Sequence, residues 1–264
     1  AQERPPGVLD AADHEQGVGQ QDEGEVAEPK SGATHADPQA LLEKAISIDP
    51  NYGQALGMLA SSYMFCAHMG WADAATALPV SERAALAAIR SDSEDAWAHF
   101  ALGSVYLMSR RFDDSLAECE LALRLNPNFA PAQCYYCLAL SYDGRWQEAD
   151  EIGRHAIRLS PRDPYLGVYY GTVAYAQFVG RRYEEAIALA REGLRRRSDF
   201  VGAHRVLTAA AAMAGRHEVA KSALQDLRRA QPNVSLSWIE RHIPIRHAAE
   251  RRHYRDALRK AGLE

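Results

Sequence analysis

The sequence is poor in cysteine, with only four, at positions 66, 119, 134 and 137. So small a set cannot form the dense disulfide framework of a small secreted domain and suits a reducing compartment, so we expect a cytoplasmic protein. Long apolar runs are missing too: no stretch approaches the roughly 18 residues that a membrane helix needs. The first residues lack the basic start and apolar centre of a signal peptide, although earlier removal of a signal leaves export open.

Motifs of the common enzyme classes are also missing. The sequence contains no GxxxxGK[ST], GxGxxG, GxSxG or HExxH, and its ten histidines are scattered without metal-ligand spacing. The acidic pairs at 113–114 and 184–185 fall at the start of predicted helices, where they favour the helix dipole. We therefore predict neither catalysis nor a bound metal or cofactor.

Charge is distributed unevenly along the chain. Residues 1–36 carry eight acidic and two basic side chains and no apolar period, which predicts a flexible acidic tail. From residue 181 onward, the chain contains 18 Lys and Arg and 10 Asp and Glu. These basic residues mostly end or edge helices and are not interleaved with aromatic residues, so we expect no nucleic-acid partner.

A repeat of 34 residues organises the rest of the sequence. Pro127 and Pro161 lie 34 residues apart, and so do Ala186 and Ala220. Within one unit, small and aromatic residues alternate at helical spacing before a proline-led turn, as in LGSVYLMSRRFDDSLAECELALRLNP. We predict a leading helix at 38–49 and helix pairs at 53–92, 96–126, 130–160, 164–198 and 201–231. The domains are then a tail at 1–36, an array at 37–232 and capping helices at 233–264.

The period and its small–aromatic–proline pattern resemble the tetratricopeptide repeat (TPR) family. The resemblance implies an all-α, right-handed α-solenoid of about five helix pairs, with a leading helix and a C-terminal capping helix. Two pairs depart from the period. The first has about nine extra residues around 67–80, for which we expect a loop, and the fourth has about three near its first helix.

The Cys134-x-x-Cys137 spacing occurs in redox enzymes and in half of a zinc site. A redox motif needs a strand-to-helix junction, and a zinc site needs a second ligand pair, and the sequence shows neither. In the repeat frame Cys137 occupies a small, buried position, whereas Cys134 should face the groove near Tyr142. Packing is thus favoured, with a thiol or metal enzyme that uses the CxxC pair kept as an alternative.

The TPR resemblance also implies a concave groove lined by the first helix of each pair. Apolar and aromatic residues with one obvious cation occupy these positions, so we expect a protein or peptide partner. Alternatively, the capping helix, the tail or a second copy of the chain fills the groove. The predicted groove residues are Trp97, Phe100, Leu107, Met108, Cys134, Leu138, Tyr142, Tyr175, Phe178, Arg205 and Met213.

The C-terminal region narrows the resemblance. The LRKAGL ending after an IPIR break, and the GW in the first pair, are similar to the C-terminal TPR module of bacterial adenylate/guanylate cyclases or winged-helix regulators with a TolB-like segment. This likeness implies a protein-interaction scaffold in bacterial signalling, or else the self-associating regulatory arm of such a protein. No cyclase or winged-helix sequence is present, so no catalytic or DNA-reading residue carries over.

Overall fold

A computed structural model of the protein describes residues 37–264, and the predicted tail at 1–36 lies outside these residues. The described part is built from α-helices without any strand, which confirms the predicted all-α solenoid. The helix bounds lie within two residues of the predicted ones. The helices are α1 Pro38–Ile48, α2 Gly53–Met69, α3 Ala74–Ser91, α4 Ala96–Met108, α5 Phe112–Leu125, α6 Ala130–Tyr142, α7 Trp146–Leu159, α8 Leu166–Val179, α9 Tyr183–Arg196, α10 Val201–Met213, α11 His217–Ala230, α12 Leu236–His242 and α13 Ala248–Lys260.

Helices α2 to α11 form five antiparallel pairs, and the first helix of each pair lines one side of the array, here called the inner face. The second helices α7, α9 and α11 are amphipathic and bury mainly alanine and glycine. Helices α4, α6, α8 and α10 bury nearly every residue, on all sides. A helix that is apolar all round must be covered all round, so the inner face requires a covering layer.

Small residues set the distance between helices, both within a pair and between successive pairs. An added Cβ on Gly103 would lie 2.9 Å from Cys119 Sγ, and one on Gly153 would lie 2.5 Å from Val173 Cγ2. Ala122 and Ala149, at other small positions of the repeat, have no exposed surface. The helices therefore pack with backbones close together, as the small positions of the period predicted.

The turns inside pairs two to five share one conformation. Each contains one residue with positive φ: Arg110 at 61°, Gly144 at 84°, Arg181 at 61° and Gly215 at 73°. Glycine adopts this left-handed region freely, whereas a residue with a Cβ is strained there by about 1–2 kcal/mol. The two arginines therefore call for a compensating role for their side chains.

Side chains at the fourth position of the repeat brace the turns between pairs. His99 donates from Nε2 to the Ser93 carbonyl at 3.0 Å, and His204 donates from Nε2 to the Ser198 carbonyl at 2.8 Å. Gln133 makes the same bond from Nε2 to the Pro127 carbonyl at 2.8 Å. In each case the acceptor lies six residues earlier, so one device fixes the angle between successive pairs.

The two departures from the period have different structural outcomes. The expected loop in the first pair is wrong, because the extra residues lengthen α2 to 17 residues and α3 to 18 and leave only residues 70–73 outside helices. Gly70, with φ of 76°, ends α2. In the fourth pair the extra residues form the turn at 160–165 before α8. Across residues 37–264, none of the helices is long and apolar enough to cross a membrane.

After α11 the chain turns back onto the array. Residues 233–264, here called the C-terminal segment, comprise α12, an extended break around Pro244, and α13. The Leu236 amide donates to the Glu264 carbonyl at 2.8 Å, which ties the two ends of this segment together. The Arg246 amide donates to the Tyr142 carbonyl at 3.0 Å, so the break lies against the end of α6.

Candidate protein-interaction groove

The predicted groove residues all lie on first helices, and most of them are buried. Trp97, Met108 and Met213 keep partial exposure. The other eight are buried: Phe100, Leu107, Cys134, Leu138, Tyr142, Tyr175, Phe178 and Arg205. Whether these residues bind another protein stays a prediction, and the structure shows what covers them in this chain.

The part of the groove formed by α6 and α8 is covered by α13. The Tyr254 ring meets Tyr175 edge-on at 5.4 Å between centroids and Phe178 at 5.5 Å. Tyr142 in turn meets Tyr175 at 5.1 Å, and His253 stacks on Phe178 at 4.9 Å. Edge-on and offset aromatic pairs add about 0.5–1.5 kcal/mol each beyond the area they bury. The C-terminal segment thus occupies the groove with its own aromatic anchor.

The part of the predicted groove formed by the start of α4 is packed within the array. Trp97 and Phe100 lie 5.6 Å apart and both contact Phe129, from the turn before α6, at 5.3 and 5.4 Å. Phe100 also meets Tyr135 at 5.5 Å. This cluster joins the second and third pairs, so these two predicted residues take part in packing between repeats.

The lengthened end of α2 and helix α12 close the groove together. A Cβ on Gly70 would lie 2.9 Å from Trp238 Cζ2, so the turn after α2 touches the Trp238 ring directly. Trp238 stacks on His242 at 4.3 Å and has 5% of its surface exposed. The Arg205 guanidinium lies over the same ring, with Cζ 5.1 Å from its centroid. Trp238 is therefore the point at which the first pair, the fifth pair and the C-terminal segment meet.

The two arginines with positive φ tie the C-terminal segment to the array. Arg110 donates from Nη2 to the carbonyls of Glu240, Arg241 and Ile243, at 3.0, 3.1 and 3.3 Å. These carbonyls belong to the end of α12, where the helix dipole favours a cation. Arg181 makes a bidentate pair with Glu250, at 2.8 and 2.9 Å. Both side chains thus make contacts that offset the strain of their turns.

Arg246 lies in the break around Pro244 and makes a third link between the C-terminal segment and the array. Its guanidinium donates to Asp113 at 2.6 and 3.1 Å, and its Nη1 to Asp143 at 3.1 Å. Hydrogen bonding and charge attraction from Asp113 raise the pKa of Arg246. Asp113 is exposed, so this pair contributes little to stability but fixes the register of the segment.

The tetratricopeptide repeat family model matches residues 96–129, which hold α4 and α5. A chain of the APC/C hetero-tetramer Cut9-Hcn1 is 14% identical, with a TM-score of 0.64 over 85% of this chain and 39% of that one. PilW, a widely conserved type IV pilus biogenesis factor, is 16% identical, with 0.59 over 79% and 90%. The pilF protein of Pseudomonas aeruginosa is 15% identical, with 0.55 over 80% and 88%. No curated protein matches the sequence.

The fold is a TPR solenoid. Residues 96–129 are its recognisable repeat, and the identities of 14–16% to the solved structures establish likeness of fold alone. The chain spans 39% of the Cut9-Hcn1 chain that it matches. A TPR fold supports a protein-interaction scaffold, and the inner face is the place where its first helices present side chains.

Both cysteines of the CxxC pair are buried in the TPR core. Burial raises the pKa of the Cys134 thiol to about 12 and that of Cys137 still higher. Cys134 Sγ lies 3.5 Å from Thr172 Oγ1, and its place in the groove near Tyr142 stays a prediction. Cys137 packs where a Cβ on Gly153 would be 2.8 Å from its Sγ. Thiols so protonated and enclosed are poor nucleophiles and poor metal ligands.

The residues that cover the inner face were missed by the sequence reasoning. They are Trp238, Ile243, Ile245 and Tyr254, all buried. One signal could have found them: helices α4, α6 and α8 are apolar on every side, which leaves no face for solvent.

In the described range of residues 37–264, no three or more His, Cys, Asp or Glu side chains are grouped to hold a metal.

Proposed function

We propose that this TPR protein is a non-catalytic scaffold that binds a peptide or helix of another protein on its inner face, in competition with its own C-terminal segment. One observation carries the proposal: the inner face already holds a short helix followed by extended chain, residues 236–247. That arrangement supports a ligand of the same kind, a short helix followed by extended chain.

The C-terminal segment also defines the chemistry of a competing ligand. Its apolar anchors are Trp238 and Tyr254, which meet Gly70 and Tyr175, and its cation is Arg246, which meets Asp113 and Asp143. Binding energy at protein interfaces concentrates in aromatic and arginine anchors of this type. A partner should therefore present a large aromatic residue and, several positions further on, a basic one.

The predicted groove residues enter this proposal as the floor beneath the C-terminal segment. Tyr142, Tyr175 and Phe178 contact the segment directly or through one ring, so a competing ligand would reach them. The likeness to the C-terminal module of bacterial cyclases and regulators supports a signalling role, in which release of the segment exposes the face.

Self-association is the second candidate, favoured by the other end of the array. Leu41, Ile48 and Met58, on α1 and α2, are 55%, 77% and 50% exposed. Apolar side chains grouped at the open end of a solenoid are a common contact between copies. Sedimentation of the full chain distinguishes this candidate, since Leu41→Glu together with Ile48→Glu would abolish a dimer formed there.

A synthetic peptide of residues 233–264 tests the leading proposal. The full chain carrying Trp238→Ala should bind the fluorescent peptide in trans, because its own segment is weakened, whereas the wild type should bind it far more weakly. Arg252→Ala is the matched control, since Arg252 is an exposed side chain of α13. Equal binding by the wild type, the control and Trp238→Ala would contradict a groove that accepts ligands by displacement.

A further inference from the structure

A small cavity lies at the centre of the inner face, where the first helices, the end of α2 and the C-terminal segment meet. Its volume is about 40 Å³, enough for one carboxylate group or a few waters but not for a large side chain. Polar groups line it from several directions. They belong to His68, Tyr142, Thr172, Tyr175, Arg205 and Tyr254.

Arg205 is the charged residue of this cavity, and it is 2% exposed. Its Nε donates to the Val201 carbonyl at 3.3 Å within α10, and its guanidinium lies over the Trp238 ring. Across residues 37–264 no carboxylate pairs with it. Among residues 37–264 the bond to Val201 is its only side-chain hydrogen bond, and Arg205 lines the cavity.

A buried arginine without a counter-ion is costly. An arginine side chain stays charged at any ordinary pH, so it cannot escape the cost by losing a proton. Taking an unpaired charge out of water costs several kcal/mol unless another charge or hydrogen bonds compensate. The stacking on Trp238 compensates only part of this cost.

The groups around Arg205 are suited to an anion. Burial raises the pKa of Tyr254 to about 12 and also raises that of Tyr142, so both hydroxyls remain neutral donors. Burial, and then the charge of Arg205, lower the pKa of His68 to about 3, so no second cation is present. One fixed positive charge with neutral hydroxyl donors matches a monovalent anion.

We propose that the central cavity binds a single carboxylate group, held end-on by the guanidinium of Arg205 with hydrogen bonds from tyrosine hydroxyls. A planar carboxylate accepts two parallel N–H bonds from the guanidinium fork, which favours it over a spherical ion. The carboxylate comes from a small free acid. This site needs no protein partner, so the proposal does not depend on the proposed scaffold function.

Formate is the probe for the free-acid source, measured on the full chain at constant ionic strength. Saturating formate should raise the wild-type Tm by about 5 °C or more, and benzoate, too large for the cavity, should not. Arg205→Met should lose the formate response while starting at an equal or higher Tm, because it removes an unpaired buried charge. Arg124→Met, at an exposed arginine of α5, should respond like the wild type.

A second measurement covers the case in which Arg205→Met does not fold. The ¹³C resonance of formate should broaden on addition of wild-type protein, and less so with Arg205→Lys, which keeps the charge but lacks the fork.

Two results would overturn the proposal. One is no formate response in the wild type, which would mean that the cavity holds water. The other is an equal rise of Tm in the wild type and in Arg205→Met, which would mean a general salt effect.

Discussion

The two ends of the array are finished in opposite ways. At the C-terminal end, Trp238, Tyr254 and Leu258 are buried and the segment crosses the inner face. At the other end, α1 contains no buried residue; its Ile46 is only partly buried against Leu56, and Gln39 donates to Ser62 at 3.1 Å. A solenoid needs a cap where its core would meet water. The difference shows that the C-terminal segment is both a cap and a core element, whereas α1 merely lies against the array.

The largest expected effect comes from truncating the central anchor of the C-terminal segment. Trp238→Ala should lower the free energy of unfolding by about 3–5 kcal/mol, because it removes a buried ring that three elements share. Leu41→Ala, at a side chain 55% exposed on α1, should change it by about 0.5 kcal/mol or less. Urea denaturation measures both free energies of unfolding. Similar losses in the two variants would mean that the two ends of the array do not differ in how firmly they are packed.

The next effect tests the contact between the first pair and α12. Gly70→Ala introduces strain at φ of 76° and a Cβ 2.9 Å from the Trp238 ring. Gly215→Ala introduces the same kind of strain at φ of 73° with nothing within 4 Å. Gly70→Ala should therefore cost about 1–3 kcal/mol more than its matched control. An equal cost in thermal unfolding would mean that α2 and α12 do not press together.

A smaller effect separates the two strained arginine turns. Arg110→Gly relieves strain but loses bonds to three carbonyls, so it should destabilise by about 1 kcal/mol. Arg181→Gly loses a partly exposed pair with Glu250 and one bond to the nearby Val179 carbonyl, at 3.0 Å, while it relieves the same strain, so it should be close to neutral. Hydrogen exchange should show faster opening at 236–247 in Arg110→Gly alone; equal opening in both variants would contradict this distinction.

The smallest effect concerns pH. His68 lies at the end of α2, and burial followed by the Arg205 charge depresses its pKa from 6.5 to about 3. Below pH 6.5 the unfolded chain therefore binds a proton that the folded chain does not, and stability falls as the pH falls. His68 is only partly buried, so the loss between pH 7.5 and 5.5 should be about 1 kcal/mol or less.

His68→Gln should flatten this pH dependence, as followed by Tm at several pH values. His217→Gln, at an exposed histidine, should leave it unchanged. A flattened profile in the His217 variant would assign the effect to a different group.

The helices and their pairing could be predicted because the repeat encodes them locally. Small residues such as Gly103 and Ala122 recur at fixed spacing, and the prolines mark the turns. The covering of the inner face could not be predicted in the same way. Contacts such as Arg246 with Asp113 join residues 133 apart, and no local period records them.

The lengthened α2 is a second case in which long-range contacts could not be predicted from the local sequence. Nine extra residues were expected to form a loop, but most of them continue α2 and α3 because the end of α2 is buried against α12 and the later pairs. Contacts made elsewhere in the fold decided the local structure. The chemistry of Cys137, by contrast, followed directly from its position in the repeat.

The crossing segment also changes how this solenoid should unfold. Repeat arrays ordinarily come apart unit by unit, since each repeat touches only its neighbours. Here Trp238 links the first and fifth pairs, and Arg110 and Arg181 link the second and fourth to the same segment. Loss of that one segment loosens every pair at once, so the array should melt in a single cooperative step. During synthesis, the inner face stays uncovered until residues 233–264 have emerged.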